Sequence, residues 1–174
     1  DGVPPQSVDR LRYVSPQFIA DLFIVRGEKA EDEKRTDDAF TEYEKASRID
    51  PRYALPYLRM GKLYEKSATD KALLYFTAAT KADYPPGAKA EAYYLIGRRE
   101  HNDNKLEPAQ KAYAQAIVED PAYAPAHFWL GRLYRALKKP HEAIAAFEKT
   151  VALKPEGSLV YYAWYNIGVI QEDQ

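Results

Sequence analysis

The side chains of this 174-residue chain with the capacity for chemistry are three histidines, a short acidic run and 15 tyrosines. His101, His127 and His141 lie in different segments, and none stands in an HExxH or comparable spacing, so no two imidazoles share one helical face to hold a metal. His127 falls at a packing place, where a buried and satisfied imidazole is the expected role. Glu31, Asp32 and Glu33 are consecutive and point in different directions on a helix, which predicts a solvated acidic turn. The chain has no cysteine, which excludes disulfides, thiol nucleophiles and thiolate metal sites. Its glycines are isolated rather than gathered in a phosphate-binding loop. Tyr43, Tyr57, Tyr64, Tyr93, Tyr113 and Tyr134 recur at packing places, which predicts structural rings. Neither catalysis nor a metal or cofactor is expected.

What remains is binding, and charge narrows it. The net charge is −1, which gives no global argument for nucleic acid. Residues 1–50 carry 8 basic and 12 acidic side chains, a net of −4, and residues 155–174 carry 3 acidic side chains and no basic one. Residues 52–154 carry 17 basic and 11 acidic side chains, a net of +6. This basic middle with its aromatics admits single-stranded RNA, but the excess is small and the acidic ends oppose it, so a protein or peptide is the expected partner. No apolar run approaches the ~20 residues that span a bilayer, which predicts a soluble chain. The start at Asp1 leaves room for a leader or tag removed ahead of it. Absence of cysteine fits an oxidising compartment, so the expectation leans to a bacterial periplasm or envelope over the cytoplasm.

The elements that would position these residues are helices. Content of 46% apolar residues supports one domain with a substantial core. Small and apolar residues recur at helical spacing on both sides of Lys138-Lys139-Pro140, with Leu130, Gly131 and Tyr134 before the turn and Ala143, Phe147 and Pro155 after it. Two antiparallel helices approach closely where a side chain is nearly absent, so Gly131 and Ala143 mark an expected crossing point. The pattern repeats as Phe23, Gly27, Ala30, Ala39, Tyr43, Ala46; as Met60, Gly61, Tyr64, Ala72, Phe76, Ala79; and as Ile96, Gly97, Ala109, Tyr113, Ala116. Tyr161–Gln171 starts a fifth unit with Trp164, Ile167 and Gly168 and has no second helix. Ser15-Pro16 predicts a capped helix start, and residues 1–14 read as a linker. The second unit is one residue short between Gly61 and Ala72, and Asp83-Tyr84-Pro85-Pro86-Gly87 adds residues after it.

In this spacing the chain resembles the tetratricopeptide-repeat family. The resemblance implies an all-α, right-handed superhelix with repeats at about 20–53, 54–89, 90–123 and 124–157 and a half repeat at 161–174. It also implies a non-catalytic scaffold or adaptor whose first helices line a concave groove. Arg26 and Glu100 depart from the family pattern, each standing where an apolar or aromatic residue is usual. Some co-chaperones of the family grip acidic chaperone tails with a lysine and an asparagine on the first helix. Ile24 and Glu28 stand at those places here, and Leu58 and Lys62 one unit on, so that activity is not expected.

Counting outward places along the first helices gives the expected groove. The fifth places are Ile24, Leu58, Tyr94, Phe128 and Tyr165, the ninth Glu28, Lys62, Arg98, Arg132 and Val169, and neighbouring places add Arg59, Lys66, His101, Trp129, Arg135 and Tyr162. The trough reads as basic and aromatic, flanked by acid at Asp21, Glu28, Glu31 and Asp32. Such a surface suits a peptide with carboxylates and bulky apolar anchors; the competing reading is that lysine and arginine only solvate an exposed helix face. The unpaired fifth unit leaves Ile167, Val169 and Ile170 partly uncovered, which points to a second role: homo-oligomer formation through the C-terminal half repeat, as a structural subunit of an envelope or secretion assembly.

Overall fold

Ser15 opens the first helix as its residue types predict: its hydroxyl accepts the Phe18 amide at 3.2 Å, and Pro16, which has no amide to satisfy, takes the first helical position. A computed structural model describes residues 15–67 and 69–173, so the expected linker at 1–14 lies outside the described residues. Among the described residues the elements are α1 (Pro16–Asp32), α2 (Thr36–Ile49), α3 (Ala54–Tyr64), α4 (Thr69–Lys81), α5 (Pro86–Asn102), α6 (Leu106–Glu119), α7 (Ala124–Ala136), α8 (Pro140–Ala152) and α9 (Leu159–Glu172). The chain is an all-α superhelix. α1, α3, α5 and α7 each pack against the even helix that follows, and α3, α5, α7 and α9 also lie against one another in succession. First helices therefore form the inner wall and second helices the outer.

Three turns within pairs share one device. Lys34, Asn104 and Lys138 adopt left-handed backbone at φ 59°, 59° and 55°. The next amide then reaches back to a helix-end carbonyl, as Arg35 to Ala30 at 2.8 Å, Lys105 to Glu100 at 2.8 Å and Lys139 to Tyr134 at 2.9 Å. These bonds satisfy carbonyls that the ended helix leaves open.

Ala39, Ala109 and Ala143 are fully buried and Ala72 nearly so, but the tightest approach differs from the expected glycine–alanine contact. Each glycine faces the aromatic ring four residues beyond the alanine. A Cβ built on Gly27 would stand 2.3 Å from the Tyr43 ring, on Gly61 2.5 Å from Phe76, on Gly97 2.6 Å from Tyr113 and on Gly131 2.9 Å from Phe147. The alanine lets the helices close, and the glycine makes room for the ring. Nothing lies within 4 Å of the corresponding point on Gly168.

The inserted Asp83–Gly87 stretch runs beside the preceding inter-repeat turn. Asp83 donates to the Arg52 carbonyl at 2.8 Å, Ala54 donates to the Tyr84 carbonyl at 2.6 Å, and the Tyr53 and Tyr84 rings stack at 5.3 Å. The Tyr84 hydroxyl donates to buried Asp50, whose other oxygen accepts the Arg52 amide at 3.0 Å. Of the two departures from the family pattern, Arg26 is exposed with its guanidinium 5.5 Å from the Phe23 ring centroid, and Glu100 pairs with Lys105 at 3.1 Å.

Candidate functional site

The fifth places are not an outward strip. Ile24, Leu58 and Phe128 are 4%, 2% and 7% exposed. Leu58 packs with Ala72, Phe76, Ala92 and Leu95, and Phe128 packs with Ala143, Phe147 and Ile167. This place points into the layer between a helix pair and the next first helix, so Leu58 lies beneath the groove. Tyr165 is 59% exposed because no second helix follows α9 among the described residues.

The basic trough is divided rather than continuous. Arg59 is paired with Glu28 and Lys62 with Glu91 at 2.7 Å, each pair spanning two successive first helices. The expected acidic flank is used internally as well: Glu31 accepts the Tyr43 hydroxyl and Asp21 the Tyr53 hydroxyl at 2.6 Å. Lys66 is exposed at the end of α3. In the first half of the superhelix charge thus cements neighbouring repeats.

Across α5 and α7 the arrangement changes. The Arg98 guanidinium lies 5.7 Å from the Tyr94 ring centroid and 5.3 Å from that of Trp129, and the Arg132 guanidinium lies 4.4 Å from the Trp129 centroid. Among the described residues no carboxylate comes within 4 Å of either guanidinium. Cation–π contact of this kind contributes about 0.5–2 kcal/mol, and it leaves the positive charges uncompensated. His101 meets Trp129 edge-on at 6.0 Å. Burial, with the Arg132 charge beside it, holds the His101 pKa below the usual histidine value, so the imidazole is neutral at pH 7. Beyond Arg132, the residues Phe128, Trp129, Arg135, Tyr162, Tyr165 and Asn166 line an open hollow between α7 and α9. Arg135 donates to Asn166 at 2.6 Å, and Asn166 donates to the Tyr162 carbonyl at 2.7 Å.

The expected groove residues therefore separate into three sets. Leu58 is core, Arg59 and Lys62 are inter-repeat pairs, and Tyr94, Arg98, His101, Trp129 and Arg132 form a cluster that continues into the hollow with Phe128, Arg135, Tyr162 and Tyr165; Lys66, exposed beyond α3, belongs to none of the three. Asn166 was not among the expected residues. It stands at the same place of its repeat as Arg59 and Trp129, and carrying that count one unit further finds it.

His127 is buried as expected, and its Nε2 lies 3.0 Å from the Pro121 carbonyl, which makes Nε2 the protonated nitrogen. Burial raises the Tyr43, Tyr53, Tyr113 and Tyr123 hydroxyls above the usual tyrosine value, so they remain neutral donors. Among the described residues no three histidine or acidic side chains converge as a metal site, and no helix is long and apolar enough to cross a membrane.

The family model for the tetratricopeptide repeat matches residues 124–156. No curated protein matches the chain by sequence. Among solved structures, a crystal structure of MamA protein is similar at 27% identity and a TM-score of 0.66, covering 88% of this chain and 81% of that one. A second MamA crystal structure is similar at 28% identity and a TM-score of 0.65, covering 84% and 83%. PilF of Pseudomonas aeruginosa shares the fold at 19% identity and a TM-score of 0.72, covering 92% of this chain and 71% of that one. The helix pair at residues 124–156 matches the tetratricopeptide repeat, and with four glycine-and-ring helix pairs in register and a further helix after them among the described residues, the chain has the fold of a tetratricopeptide-repeat solenoid.

Proposed function

We propose that the chain is a non-catalytic scaffold that binds a partner peptide or protein across α5, α7 and α9, where Trp129 and its two guanidiniums meet the hollow lined by Tyr162 and Tyr165. The observation that carries this reading is the contrast within one inner wall: Arg59 and Lys62 are paired with carboxylates of neighbouring repeats, while Arg98 and Arg132 lie over aromatic rings with no carboxylate within 4 Å among the described residues. Arginine beside aromatic rings is the composition of binding hot spots. The partner chemistry that fits is a segment with carboxylates for the guanidiniums and a bulky apolar anchor for the hollow. The test is an array of peptides that vary acidic and aromatic content, followed by titration in a Trp164→Phe background so that Trp129 is the remaining indole reporter. Binding weakened roughly tenfold or more by Arg98→Ala/Arg132→Ala is the expected result; unchanged affinity for a peptide that quenches Trp129 overturns the reading.

The outer side of α9 favours a second role. Tyr161 and Trp164 are 67% and 56% exposed, at the places where α7 buries Ala124 and His127. Gly168 is a notch with no ring over it, so one helix presents both the knobs and the hole for a second copy of itself. Sedimentation across a concentration series tests it. A dimer abolished by Trp164→Glu is expected, and a monomer throughout removes the role.

A further inference from the structure

Among the described residues, each end of the superhelix lacks one second helix. The later first helices each pack on the second helix before them, and the place five residues ahead of their notch glycine is buried, as Pro56, Ala92, Ala126 and Ala163. In α1 that place is Leu22, which is 49% exposed between Phe18 at 56% and Val25 at 62%, and no helix precedes α1 among the described residues. The lack at α9 is on its other side. Tyr161 and Trp164 stand bare where a second helix would follow, and Gly168 is the one notch glycine with no ring over it.

The two bare stripes have the same intervals when one is read backward. Phe18, Leu22 and Val25 are separated by four and three residues, and so are Gly168, Trp164 and Tyr161. Helices laid antiparallel, as the two helices of a hairpin are, bring such stripes into register. Phe18 then stands over Gly168, Leu22 over Trp164 and Val25 over Tyr161. A ring enters the empty notch as Tyr43, Phe76, Tyr113 and Phe147 enter the filled ones, and Leu22 follows Phe18 at the interval at which Val151 follows Phe147. A parallel arrangement would offer the notch Val25 instead of a ring. Charge agrees with the antiparallel one. Arg26 and Lys29, exposed at the far end of the α1 stripe, come beside exposed Glu156 ahead of α9. Glu172 and Asp173 come beside the amino-terminal end of α1, whose first turn carries no acid, and an anion there is favourable.

We infer that α9 of one copy docks antiparallel on α1 of the next, so that copies of this chain join end to end. The inference rests on the oligomer role given to α9 above and names the surface that receives it, which is α1 and not a second α9. The contact is apolar at its centre, where Leu22 meets Trp164, and charged at its rim. The two faces differ and lie at opposite ends, so every joined pair still offers one of each. A dimer is then the first member of a series that grows or closes into a ring.

Sedimentation velocity on the 174-residue chain tests the contact with two variants that each block one end, Leu22→Glu and Trp164→Glu. Both side chains are exposed, so the repeats stay intact, and circular dichroism checks that they do. Wild type is expected to pass beyond two copies as concentration rises, and each variant alone to remain monomeric. An equimolar mixture of the variants is expected to form a dimer that grows no further, because one keeps only its α9 face and the other only its α1 face. Cysteine pairs give a second measurement, since the chain has no cysteine of its own. With the two copies distinguished by mass, Val25→Cys mixed with Tyr161→Cys is expected to form a disulfide-linked dimer. Phe18→Cys mixed with Tyr161→Cys is not, since Phe18 lies about 10 Å from Val25 along the helix, beyond disulfide reach. If Leu22→Glu associates as wild type does while Trp164→Glu is monomeric, the end-to-end contact is overturned and α9 pairs with itself, which keeps the oligomer role. Wild type that stays monomeric at every concentration overturns both, and equal cross-linking of the two cysteine pairs overturns the antiparallel docking.

Discussion

Gly97 and Tyr113 compete for one position at the crossing of α5 and α6: a methyl group on Gly97 would stand 2.6 Å from the ring. Gly97→Ala is therefore expected to cost roughly 1–3 kcal/mol, despite the better helix propensity of alanine. Gly168→Ala meets nothing within 4 Å and is expected to stabilise by about 0.5–1 kcal/mol. Thermal denaturation of the two variants should move in opposite directions. Two losses of similar size would show that α9 is covered in solution.

Ala109 and Ala143 are fully buried where paired helices close on each other. Enlarging either to leucine forces the pair apart, at an expected cost of roughly 1–3 kcal/mol. Denaturant unfolding measures it, and an unchanged midpoint would mean that the helix pairs do not meet there.

Lys138 holds left-handed backbone at φ 55°, a conformation that costs a side-chain-bearing residue about 1 kcal/mol and glycine nothing. Its neighbour Lys139 completes the capping bond to Tyr134 at 2.9 Å. Lys138→Gly is expected to raise stability by up to about 1 kcal/mol, with the turn kept. A lower melting temperature would show that the lysine side chain contributes more than the strain it bears.

Burial lowers the pKa of both His101 and His127 below that of the unfolded chain. Each then binds a proton more readily when unfolded, so stability rises with pH between the folded value and about 6.5. Acidification from pH 7 toward 5 is expected to lower the melting temperature, and His101→Asn/His127→Asn is expected to flatten that dependence. Equal slopes in the two proteins would assign the pH effect to other groups.

Architecture was legible because it rests on residues whose absence of bulk is itself the signal. Gly27, Gly61, Gly97 and Gly131 occur once per first helix, and alanines follow at a nearly constant interval. The site was legible only in part. Counting places named Arg98, Trp129 and Arg132, whose side chains lie against one another, but it could not show that Arg59 and Lys62 were already paired, because their partners Glu28 and Glu91 lie 31 and 29 residues away in sequence on neighbouring first helices. Ile24 and Leu58 were misplaced for a related reason: one side of a first helix touches solvent or the next repeat depending on a rotation of less than one residue step. Tyr113 read as packing, and it is; its unsatisfied hydroxyl emerges only beside His101.

The Tyr53–Tyr84 lacing has a mechanical consequence. In a plain stack each repeat holds only its neighbours, and either end can peel away one unit at a time. Here the strap from Asp83 to Gly87 returns to Arg52, Ala54 and Asp50, clasping the whole of α3 and α4 between its two attachment points. The amino-terminal half should consequently detach as one block, and hydrogen exchange should report a shared opening energy for α2, α3 and α4. Under load the molecule should unravel from α9 inward and arrest at this buckle.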